Sequence, residues 1–112
     1  MAGVVVQLNE AAPDKHRAVL RNVANLIKEM PQLTVELVLF GPGIDVALAQ
    51  VTECGDELDA AQAQGVVVAV CQNTLRQRNL GKADLRNGVE IVPAGVAELV
   101  RRQLEGYSYL RP

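Results

Sequence analysis

Val4-Val5-Val6-Gln7-Leu8 is a nearly unbroken apolar run, the pattern of a strand covered on both faces. Pro13-Asp14 then opens a segment in which Val19, Leu20, Val23, Leu26, Ile27 and Met30 recur at helical spacing. Those side chains form one stripe, leaving Lys15, Arg17, Arg21, Lys28 and Glu29 for water. Pro31 ends the helix, because its ring fixes the backbone and removes a donor. Residues 34–40 predict a second strand, closed by Gly41-Pro42-Gly43. A short helix is expected over 44–50 and a longer one over 53–64, with Gly65 suited to a left-handed cap. Residues 66–70 predict a third strand, as apolar as the first. Asn73 or Thr74 is placed to cap a short helix running through Leu75 and Arg78. Asn87-Gly88 predicts a turn and 89–92 a fourth strand. In 95–105, Val96, Leu99, Val100 and Leu104 predict an inward-facing helical stripe, which Gly106 ends. Residues 107–110 predict a last strand at a sheet edge.

Strand and helix alternate, so the expected class is α/β, a parallel sheet with helices on both faces. Right-handed crossovers bring the C-terminal ends of the first four strands to one edge, where open sheets of this kind bind ligands. The segments placed there are Asn9 and Glu10, Gly41 to Gly43, Cys71 to Thr74, and Pro93 to Gly95. They are expected to converge on one cleft.

Composition acts mainly by exclusion. A chain of 112 residues without repeats or linkers predicts one domain over 1–112. It is 49% hydrophobic but only 3% aromatic, with a net charge of −2, so neither a basic footprint nor a stacking platform for nucleic acid is present. Apolar runs such as 66–71 are too short to span a bilayer, and the first residues lack a signal-peptide pattern. A cytoplasmic location with no membrane partner is therefore expected. Cys54 and Cys71 have no CxxC spacing and read as free thiols. One histidine and two distant cysteines make a poor ligand set, so no metal and no cofactor are expected. Ser108 is the sole serine and sits far from any nucleophile elbow, and no Cys-His pairing points to a thiol protease.

Cys71 carries the candidate chemistry. It ends a strand just before a helix start, where unpaired N–H groups favour a thiolate. Arg76 and Arg78 follow and add positive potential. Lowering a thiol pKa by ~1.5 units raises its ionised share at neutral pH from a few per cent to roughly half. The same residue reads equally well as a small buried hydrophobe. Cys54, beside Gly55 and away from the strand ends, reads as a packing residue. His16, on the polar side of its helix, reads as a solvated side chain. The glycines of Gly41-Pro42-Gly43 let an anion approach the backbone, but without P-loop Lys and Ser/Thr the segment reads as a plain turn. Asn9 and Glu10 fit ligand binding, acid–base work or ordinary strand-end polarity alike.

Val-Ala-Val-Cys-Gln-Asn-Thr-Leu-Arg at 68–76, together with Leu8-Asn9-Glu10, the Gly41-Pro42-Gly43 turn and the ending Arg101-Arg-Gln-Leu-Glu-Gly-Tyr-Ser-Tyr-Leu-Arg-Pro112, resembles the DsrE/DsrF-like family. The likeness spans the whole chain and is nearest to small stand-alone members with a Cys-x-Asn-Thr-Leu segment. It implies a three-layer α/β/α fold around a mainly parallel five-stranded sheet, assembled as homo-oligomers, commonly trimers or hexamers. It also implies a role in intracellular sulfur oxidation or sulfur relay. By that resemblance Cys71 accepts sulfur as a persulfide and passes it to an acceptor thiol, as a sulfurtransferase or a carrier, with donor and acceptor proteins as partners. Asn73 and Thr74 match the segment beside the cysteine; with Asn9, Glu10 and Gly43 they make up the expected ligand-binding set. Gln7 stands where relatives often place a histidine, so no helper base is expected there. The competing expectation is a non-catalytic oligomeric module that holds a small anionic ligand at the strand-end cleft, with Cys71 only packing. A third is an interaction protein with Tyr107 and Tyr109 at subunit contacts.

Overall fold

The computed structural model of the protein describes residues 2–112. Its strands are β1 (Gly3–Leu8), β2 (Thr34–Leu39), β3 (Val67–Cys71), β4 (Glu90–Val92) and β5 (Ser108–Leu110). They form one sheet in the order β4-β3-β2-β1-β5, with every pair parallel. From β1 to β4 the chain always steps the same way across the sheet, through α1 (Pro13–Glu29), α2 (Gly55–Ala63) and α3 (Gln72–Gln77). Right-handed crossovers then place these helices on one face. The step from β4 to β5 runs the opposite way, so α4 (Gly95–Leu104) covers the other face.

The core follows this division, because strand side chains alternate between faces. Val4, Val6, Leu37, Leu39, Val68 and Val70 pack with Val19, Leu20, Val23 and Leu58 of α1 and α2. Val5 and Val38 meet Leu99 of α4, with Phe40 and Tyr107 against them. The three-layer α/β/α arrangement expected from the sequence is the fold of this chain. Among the described residues, no helix is long and apolar enough to cross a membrane.

Several local expectations are corrected. Residues Gly41–Ala47 form a 3₁₀ helix, not a helix over 44–50. The turn is drawn tight against β1: a Cβ on Gly43 would fall 2.1 Å from the Leu8 carbonyl oxygen. Another 3₁₀ turn, Lys82–Asp84, was not expected from the pattern; there the Asp84 carboxylate accepts the Gly81 N–H at 2.8 Å. The N-cap of α3 is Cys71 rather than Asn73 or Thr74, because β3 runs on to Cys71 and the helix starts at the next residue.

The largest correction concerns α4. Of its four apolar stripe residues only Leu99 is buried, while Val96, Val100 and Leu104 are 60%, 57% and 84% exposed. The inward face is Gly95, Glu98 and Leu99, with half-buried Arg102 beside them. This face is polar because β2 presents the buried Glu36 to it. The Arg102 guanidinium lies 2.6 Å from Glu36 Oε1 and 3.2 Å from Glu98 Oε2. A buried carboxylate must be paired, and that demand turns the helix. Gly95 permits the close approach, since a Cβ there would stand 3.0 Å from the Phe40 ring.

Candidate functional site

Alternation along β3 sends Val68 and Val70 to the α1 side, so Cys71 points to the side of α4. Its partner in the next strand is Val92, after which the chain turns through Pro93 and Ala94 into α4. Neighbouring strands β3 and β4 thus send their following helices to opposite faces. The loops part there and leave a crevice at the carboxyl edge, the place where open α/β sheets bind ligands.

Cys71 is buried, at 6% exposed, and its sulfur has backbone N–H groups and a hydroxyl near it as well as apolar neighbours. Burial pushes the thiol up, but nearby N–H and O–H groups outweigh it and hold Cys71 below the ordinary thiol value. These groups are the backbone N–H of Gly95, the N–H and hydroxyl of Thr74, and the N–H of Asn73, although the Cys71 side chain makes no capping hydrogen bond to α3. Thr74 has a double part. Its hydroxyl oxygen accepts the Gly41 N–H at 2.9 Å, and the same hydroxyl favours the thiolate. The loops after β2, β3 and β4 therefore meet near this sulfur, whose surroundings favour negative charge.

Other expected site residues lie elsewhere. β1 is two strands from β3, roughly 10 Å at the usual strand spacing. Asn9 accepts from Gln7 Nε2 at 3.2 Å, and Glu10 pairs with Arg111 at 3.3 Å. Gln7 in turn accepts the Tyr109 hydroxyl. Gly43 is buried against Leu8 and Asn9 and fixes the turn. Asn73 and Thr74 are beside the sulfur, whereas Asn9, Glu10 and Gly43 belong to the β1 end.

His16 corrects its expectation. It is buried, with Nε2 2.6 Å from the Glu10 carbonyl oxygen, so it anchors the loop after β1 instead of facing water. Cys54 is fully buried near the Pro13 carbonyl, and burial pushes its thiol up despite the nearby Arg17 charge. Of the two arginines after Cys71, Arg78 is held by Asp45 at 2.7 Å, while Arg76 has no ion-pair partner among the described residues. No group of three His, Cys, Asp or Glu side chains among the described residues is placed to hold a metal.

Sequence reasoning missed the Glu36–Glu98–Arg102 cluster. Burial pushes the Glu36 carboxyl up to about 7, and its hydrogen bond to Glu98 acts the same way, against Arg102. That hydrogen bond is the main reason Glu98 is held below its ordinary value. Below about pH 7 the pair therefore favours holding one proton, on Glu36. The available signal was an acidic residue inside the apolar strand Thr34–Leu39, matched by Glu98 and Arg102 four apart on a helix.

Solved structures similar to this chain cover nearly all of it. The protein MTH1491 of Methanobacterium thermoautotrophicum, described as of unknown function, superposes with a TM-score of 0.95 at 32% identity over 100% of both chains. The ychN protein of E. coli gives 0.79 at 21% identity, covering 99% of this chain and 97% of its own. BT1422 of Bacteroides thetaiotaomicron, also of unknown function, gives 0.77 at 15% identity, covering 98% and 94%. No curated protein matches the sequence. The model of the DsrE/DsrF-like family matches residues 3–112, nearly the whole of this parallel β4-β3-β2-β1-β5 chain, and the chain belongs to that family.

Proposed function

We propose that the protein carries sulfur, with Cys71 as the residue that accepts it as a persulfide and hands it to an acceptor thiol. The observation that carries this reading is the set of N–H and O–H donors around the Cys71 sulfur, which lowers the thiol's pKa despite burial. Membership in the DsrE/DsrF-like family supports a role of the sulfur-relay type.

In the first step the Cys71 thiolate attacks the outer sulfur of a donor R–S–S–H. The donor S–S bond breaks, its electron pair leaves on the inner sulfur as R–S⁻, and Cys71–S–S–H forms with the transferred sulfur and proton. In the second step an acceptor thiolate attacks the terminal sulfur, and Cys71 departs as thiolate. No external oxidant is needed. The N–H groups of Gly95, Thr74 and Asn73 stabilise the anion on which each step begins and ends, as preorganised donors do at other anionic centres.

The reading includes a cytoplasmic setting and a homo-oligomeric assembly, trimer or hexamer, in which a second copy covers the exposed stripe Val96, Val100 and Leu104. Incubation with a small persulfide followed by intact-mass measurement tests the central step. A gain of one sulfur atom is expected, located at Cys71 by peptide mapping and lost in Cys71→Ser. No gain, or the same gain in Cys71→Ser, would contradict the proposal.

A further inference from the structure

Beside Cys71 lies a cleft of about 440 Å³, walled by Gln72, Asn73 and Arg76 on α3 and by residues 91–94 on the opposite side. It occupies the crevice where β3 and β4 send the chain to opposite faces. Cys71 does not itself line the cleft, but its immediate neighbours do. Gln72 and Asn73 follow Cys71 in the chain, Val92 is its strand partner, and Ala94 immediately precedes Gly95, whose N–H favours the thiolate.

The cleft has one charge. Arg76 is its only ionisable lining residue, exposed and without an ion-pair partner among the described residues, although the chain as a whole carries a net charge of −2. Asn73 and Arg76 stand three residues apart on α3, so their side chains share a face. One offers amide hydrogen bonding and the other a guanidinium fork that fits a carboxylate. The volume lies within the range of small-ligand sites.

We infer that this cleft is an anion subsite in which Arg76, with Asn73, holds the carboxylate of a low-molecular-weight persulfide while its outer sulfur meets Cys71. The inference rests on the sulfur-carrier reading for the identity of the ligand, and on the cleft alone for its charge selectivity. Arg76 sets which donor reacts. Transfer follows the balanced exchange given above: the donor's S–S bond breaks, a carboxylate-bearing thiolate leaves, and Cys71 gains the sulfur.

Two paired measurements separate the two claims. In the first, Cys71 of the full chain is alkylated with iodoacetate and with the uncharged iodoacetamide, and the site is confirmed by peptide mapping. Any general effect of Arg76 on thiolate content changes both rates alike and cancels in their ratio. Arg76→Gln is expected to lower the iodoacetate-to-iodoacetamide ratio about two- to fivefold, the scale of one exposed charge pair. In the second, sulfur uptake is followed with glutathione persulfide and with an uncharged alkyl persulfide. The same variant is expected to lower the preference for glutathione persulfide by a similar factor. An unchanged ratio in the alkylation pair overturns the anion subsite, whatever the sulfur uptake. A lowered alkylation ratio with no preference for glutathione persulfide over the uncharged donor overturns the assignment of the ligand. A lowered ratio with no sulfur taken from either donor supports the anion subsite and contradicts the sulfur-carrier reading instead.

Discussion

At the scale of single residues, the chemistry reduces to what surrounds one sulfur. Thr74 is a positioning residue, accepting from Gly41 while its hydroxyl favours the Cys71 thiolate. Thr74→Val keeps the shape but removes the hydroxyl; the Cys71 pKa is expected to rise and its alkylation rate near neutrality to fall about two- to tenfold. Thr74→Ser retains the hydroxyl and is expected to restore most of the rate, which a purely structural role for the side chain would not produce. The sign for stability follows from the same shift. A thiol whose folded value is lowered adds stability that is present above its ordinary value and lost as pH falls through the folded one. Much of this site was legible in the sequence. A cysteine ending an apolar strand, followed by Asn73 and Thr74, marks a strand-end site wherever strands are parallel. Thr74's link to Gly41 was not legible, since it joins residues 33 apart that only the neighbouring strands bring together.

At the scale of elements, α4 shows how one buried charge overrides an apolar pattern. Val96, Leu99, Val100 and Leu104 read as an inward stripe by periodicity alone. Glu36 on the facing strand instead requires Arg102 and Glu98, so the helix turns its apolar edge outward. Local periodicity contains no information about what the facing strand presents. The cluster has a consequence for pH. A carboxyl raised to about 7 stabilises the fold below its unfolded value and loses that contribution as pH rises through about 7. Denaturant unfolding of the full chain is therefore expected to show less stability at about pH 8 than at about pH 5, by on the order of 2 kcal/mol, since the lowered Glu98 titrates below this window. Glu36→Gln, which mimics the protonated group, is expected to flatten that difference. An equal pH dependence in wild type and variant would contradict the shared-proton arrangement.

At the scale of the whole molecule, the order β4-β3-β2-β1-β5 decides which expected site residues meet. The alternation of β1, α1, β2 and β3 was readable from periodicity and from Pro31 and Gly65. The strand order was not, because it depends on which way each crossover steps. That is why Cys71, Thr74 and Gly95 are brought together while Asn9 and Glu10 remain at the β1 end. The same topology leaves one helix to cover a whole face of the sheet, and the exposed Val96, Val100 and Leu104 follow from it. If a second copy covers this stripe, the wild-type chain sediments as an oligomer at micromolar concentration and Leu104→Glu shifts it toward monomer. A monomeric wild-type chain would contradict that assembly.

The claim beneath all of these is that the Cys71 sulfur is held ready to be an anion. The pH profile of its alkylation by iodoacetamide, followed on the intact chain with the modified site mapped, reads this directly. The account predicts a midpoint below that of a free-cysteine peptide measured alongside; a midpoint equal to or above the peptide's would contradict it.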